Sequence, residues 1–76
     1  MVNTQLLEEA IQESGKSKTY LAKKCNMSLQ SFRLKRLNVF PFSTDNVDTL
    51  CEELNIKTLT RKEHIFFAKN VDNTST

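Results

Sequence analysis

Along most of the chain the apolar residues recur at helical spacing, and short polar breaks reset the phase. Leu7, Ala10 and Ile11, with Ser14 one turn further on, share one face of a predicted helix. It starts with Asn3 or Thr4 as N-cap and runs to about Ser14, with Glu8 and Glu9 in its early turns. Gly15, the chain's only glycine, suits the left-handed residue that ends it. A second helix is predicted over Lys18 to about Lys24, capped by Ser17, with Leu21, Ala22 and Cys25 on its inner face. Cys25-Asn26-Met27 forms the break, because Asn tolerates positive φ. Ser28 then caps a third helix over residues 29 to about 37.

Pro41 forbids helix in NVFPF, so this segment is predicted as a loop with Phe40 and Phe42 pinned beneath it as core. Val47, Leu50, Cys51 and Leu54 mark a fourth helix, starting near Ser43 or Thr44 and ending at Leu54. Asn55-Ile56 closes it. Thr60 and Glu63 match a capping box, which predicts a short fifth helix holding Ile65 and Phe66. IFFAKNV also fits a strand of about five residues, so helix and strand both stay open there. The tail NTST is expected to fray. No internal repeat is present.

The third helix breaks the pattern the others keep. In SLQSFRLKRL, take Phe32 as the centre of the inward face. Leu29 then lies about 60° away, but Leu34 about 160° and Leu37 about 140° away at 100° per residue. Two leucines fall among Gln30, Arg33, Lys35 and Arg36 on the side that solvent should wet.

Composition narrows the setting. A chain of 76 residues with one Gly and one Pro fits one small all-α domain over residues 1–76, expected to be ordered over about 3–70. No apolar run reaches the roughly 18–20 residues of a membrane span. MVNTQLLEEA lacks the basic and apolar regions of a secretory signal. Cys25 and Cys51 have no CxxC or nearby His and read as reduced core residues, with a disulfide as the alternative. A cytoplasmic location is expected. Net charge is only +2, yet seven of the eleven Lys and Arg residues fall between Lys16 and Arg36. No acid occurs between Glu13 and Asp45. A basic segment of this kind inside a balanced chain is either a solvated face or a polyanion site.

Two short helices joined by a three-residue turn, the second capped and basic, describe a helix-turn-helix. Ala22 is the small residue at the helix crossing, Asn26 the turn residue and Phe32 the apolar anchor, with Leu21, Cys25 and Met27 completing the small core. With these residues in place, SKTYLAKKCNMSLQSFRLKRLN resembles the helix-turn-helix of the phage Cro and repressor class. The likeness spans residues 3 to about 68 and is nearest to short phage regulators of Gram-positive bacteria. It rests on Tyr-Leu-Ala, Ser-x-Gln-Ser-Phe, the PF loop, LCEELNI and IFFA.

The resemblance implies a lambda-repressor-like bundle of four to five short helices, with the motif at helices 2 and 3. It also implies that the third helix lies in the DNA major groove. Base and nearby backbone contacts would fall on Lys18, Ser28, Leu29, Gln30, Arg33 and Leu34, with Lys16, Lys35 and Arg36 as further backbone contacts. Gln30 suits adenine and Arg33 guanine, whereas the other cations set affinity and salt dependence. One departure stands out: Lys35 and Arg36 occupy positions where the family carries an apolar residue. Either their methylene stems cover the core, or the helix ends early and Leu37 folds back in their place.

Enzymatic chemistry has little to stand on. His64 is the only histidine, neither cysteine has a neighbouring base, and Glu52-Glu53 reads as a solvated pair. No enzyme, cofactor or metal role is expected. The competing reading is a modulator that grips another transcriptional regulator through Leu34 and Leu37. Ile65, Phe66 and Phe67 carry more apolar surface than a core of this size needs, which suggests a homodimer through that region.

Overall fold

The structure, a computed structural model, describes residues 1–68. Five helices follow in order: α1 (Thr4–Ser14), α2 (Lys18–Lys24), α3 (Leu29–Arg36), α4 (Thr44–Glu53) and α5 (Leu59–Phe66). Among the described residues there is no strand, so the protein is a small all-α bundle. The strand alternative for IFFAKNV therefore fails over its described part, where helix continues through Phe66. Its last residues and the NTST tail lie outside the described residues.

Local chemistry sets the helix boundaries. Asn3, Ser17, Ser28, Ser43 and Thr58 each accept a hydrogen bond from a backbone N–H in the first turn of their helix. Each removes one of the unpaired donors that every helix start carries. Ser43 and Asn46 form a reciprocal capping box. The cap of α5 corrects the expectation, because Thr58 and not Thr60 serves, accepting from Arg61 N at 3.2 Å. A hydroxyl two residues earlier does the same work and needs no glutamate partner, and Thr60 becomes an ordinary first-turn residue.

Three helices end in the same way. Asn26, Asn38 and Asn55 adopt φ of 60°, 66° and 60°. The next residue donates back to the helix in each case: Met27 to Ala22 O at 3.0 Å, Val39 to Leu34 O at 2.9 Å and Ile56 to Cys51 O at 2.8 Å. These are Schellman turns with Asn as the left-handed residue. α1 ends on Gly15 at φ 72°.

Each helix gives one fully buried large side chain to a single core: Leu7, Leu21, Phe32, Leu50 and Ile65. Phe42 enters from the loop and meets Phe32 and Phe66 edge-on, with ring centroids 6.1 and 6.0 Å apart. Phe40 does not join it. The chain bends at Val39 and Phe40, and this leaves Phe40 54% exposed. Leu37 does not fold back into the core either and stays 48% exposed. Arg36 covers that ground instead, its guanidinium 5.2 Å from the Phe32 ring centre. Ile65 and Phe66 are core, which leaves Phe67 alone of that trio exposed.

The N-terminal residues are tied in as well. Val2 is buried, and Asn38 holds it by accepting from Val2 N at 2.7 Å and donating to Val2 O at 2.9 Å. Asn3 N donates to Ile65 O, and Ala68 N donates to Met1 O.

Candidate nucleic-acid interface

α2 and α3 pack most closely on one another, with the Cys25–Met27 turn between them. Buried Leu21 and Ala22 of α2 and Phe32 of α3 lie in the shared core, and the rest of the α3 surface turns outward from Phe32. On it, Ser28, Leu29, Gln30 and Arg33 are exposed, and Leu34 is half-buried. Gln30 and Arg33 make no side-chain hydrogen bond or ion pair among the described residues. The Ser28 hydroxyl is engaged as cap, accepting from Ser31 N at 3.0 Å. Leu34 is tied by its carbonyl into the turn that ends α3, through Val39 N.

The other four expected cations behave differently. Lys16 Nζ donates to the Glu53 carbonyl at 2.8 Å and to Glu53 Oε1 at 2.9 Å, and the Tyr20 hydroxyl donates to the same Oε1 at 3.0 Å. The hydrogen bond to Glu53 holds the Lys16 ammonium above its ordinary value against the opposing pull of burial. Lys18 Nζ and Arg36 Nη1 both reach Glu8 Oε2, at 2.9 and 3.2 Å. Lys35 Nζ donates to Asn46 Oδ1 at 3.2 Å, bridging the end of α3 to the start of α4. Acids and amides from outside the basic segment thus fold back onto it.

Lys23, Lys24 and Arg33 are the cations of that segment left with neither an ion pair nor a side-chain hydrogen bond among the described residues, and Lys24 sits 5.7 Å from the Tyr20 ring centre. Nothing in the sequence pattern singles out Glu8 or Tyr20 as a partner of the basic segment, and the expectation that Glu53 forms a solvated pair with Glu52 is corrected, because Lys16 and Tyr20 hold its carboxylate. Their part depends on contacts 10 to 37 positions apart in the chain, which no local spacing reports. Burial raises the thiols of Cys25 and Cys51 above their ordinary value, and both are free. Reactive cysteines need the opposite environment. No cluster of three or more His, Cys, Asp or Glu side chains that could hold a metal occurs among the described residues. No described helix is long and apolar enough to cross a membrane.

No protein-family model, curated protein or solved structure matches the chain.

Proposed function

We propose that the protein binds double-stranded DNA sequence-specifically, laying α3 in the major groove, and acts in a bacterial cytoplasm as a Cro-like regulator of phage or prophage transcription. The observation that carries this reading is the outward face of α3. Gln30 and Arg33 stand exposed, and unpaired among the described residues, on a short helix whose position is set by the fully buried Phe32. An amide and a guanidinium one turn apart are the side chains that pair bidentately with adenine and guanine. Leu34 supplies apolar contact for a thymine methyl, and the Ser28 end of α3 faces a phosphate. Lys16, Lys18, Lys35 and Arg36 would act on the backbone only after giving up their present partners, so Arg33, Lys23 and Lys24 are the first cations to meet DNA.

A gel-shift and footprint on DNA flanking the gene, repeated over a range of salt, tests this. Arg33→Ala and Gln30→Ala should each lower discrimination at one base position by about 1–3 kcal/mol. Absence of binding to any duplex at low salt would overturn the reading.

A second reading has its own observation. Leu29, Leu37, Val39 and Phe40 are all exposed along α3 and the turn after it, which suits a surface that grips another regulator. That role predicts no salt-dependent DNA affinity. A homodimer through the C-terminal region rests on Phe67, with Leu59 and Met1 as the other exposed apolar groups there.

A further inference from the structure

Glu8 of α1 holds cations from two other helices on one oxygen. Lys18 Nζ, in the first turn of α2, and Arg36 Nη1, in the last turn of α3, both meet Oε2. The other oxygen, Glu8 Oε1, is buried without a hydrogen-bond partner among the described residues, and so is Arg36 Nε. A carboxylate and a guanidinium in contact ordinarily close two bonds. Here the pair is left half-made, with the Lys18 ammonium sharing the one oxygen used.

The two cations are not held equally. The Arg36 side chain is 14% exposed and lies over the Phe32 ring. Lys18 is 42% exposed, and the carboxylate is the one polar partner of its ammonium among the described residues. An exposed lysine ion pair is weak, and a flexible ammonium changes partner easily. An incoming phosphate can therefore take Lys18 without disturbing the fold. Once Lys18 leaves, the carboxylate can offer both oxygens to Arg36, whose Nε is unused. The two orphaned atoms then have partners in each other.

We propose that Glu8 is a built-in competitor for the anion that Lys18 binds: a backbone phosphate displaces the carboxylate from Lys18, and Arg36 retains it. The identity of the anion rests on the DNA reading above, whereas the exchange itself requires only a polyanion. Glu8 therefore lowers the affinity of the face and makes Lys18 a contact formed on binding.

The test compares Glu8→Gln with Glu9→Gln in the full chain. Glu9 is the next residue on α1, is exposed, and has Gln5 at 3.3 Å as its one side-chain hydrogen-bond partner among the described residues, so it controls for the lost charge. The probes are heparin, eluted by a salt gradient, and duplex DNA. Glu8→Gln should elute later than Glu9→Gln and bind duplex about fivefold tighter than wild type, the scale of one exposed ion pair. Glu9→Gln should gain less than about twofold. In a Lys18→Ala background the advantage of Glu8→Gln should fall to that of Glu9→Gln, since the cycle isolates the pair. Equal elution of the two glutamine variants, an advantage that survives Lys18→Ala, or weaker binding by Glu8→Gln each overturns the proposal. Should no variant bind duplex while Glu8→Gln alone is retained longer on heparin, the DNA reading falls and the exchange stands.

Discussion

The side-chain amide of Asn38 grips both backbone groups of Val2, while its own backbone sits at φ 66°. Asn38→Gly keeps the backbone and loses the grip, so it should cost about 1–3 kcal/mol for two hydrogen bonds. Asn38→Ala loses the grip and adds left-handed strain of about 1–2 kcal/mol. Asn26→Gly, where the side chain makes no hydrogen bond among the described residues, should stay within about 0.5 kcal/mol of wild type. Urea unfolding orders these three variants, and equal losses for Asn38→Gly and Asn26→Gly would refute the role of the grip. Glu53 makes a second prediction, in pH. Its carboxyl is held below the ordinary 4.5 first by the hydrogen bond from Lys16, against burial, and then by the Tyr20 hydroxyl. A group lowered in the folded state stabilises above its unfolded value, and that contribution is lost as pH falls through the folded one. The stability gap between wild type and Glu53→Gln should therefore shrink below about pH 4.5. A gap constant down to acid unfolding would count against it.

On α3 two arginines three positions apart have opposite parts. Arg36 covers Phe32 and pairs with Glu8, so Arg36→Ala should cost about 1–3 kcal/mol, lowering the melting midpoint by several degrees. Arg33→Ala should change stability by no more than about 0.5 kcal/mol. Calorimetry on the two variants checks the division, and similar losses would refute it. The same helix shows what could be read in advance. The caps Ser17, Ser28 and Ser43 and the anchor Phe32 declare themselves locally, because each answers to spacing within one turn. Leu37 and Phe40 do not, since their exposure follows from the turn at Asn38 and the bend after it. The pattern apolar-Asn-apolar, present at 25–27, 37–39 and 54–56, marks all three Schellman turns, but the one at Asn38 was hidden by the Pro41 loop signal. The exposed face of α3 was legible in the cation spacing. That four cations of the basic segment, Lys35 and Arg36 of α3 among them, were taken was not, because their partners come from α1 and α4.

At the scale of the molecule the fold is closed by α5 against α1. Phe66→Ala removes a buried ring that meets Phe42 and should cost about 3–5 kcal/mol, a large share of what a small domain has. Phe67→Ala, at an exposed neighbour, should leave monomer stability within about 0.5 kcal/mol. If the protein self-associates, Phe67→Ala should instead weaken that association in sedimentation, and an unchanged dimer would exclude Phe67 from the contact. The backbone ties from Met1 and Asn3 to Ala68 and Ile65 carry a further consequence, for the order of events as the chain is made. The α2–α3 pair, spanning residues 18 to 36, has all of its own parts as soon as α3 has emerged from the ribosome. Residues 1 to 3 must wait for residues 65 to 68, made last among those that hold them, so although they are made before the α2–α3 pair they settle after it.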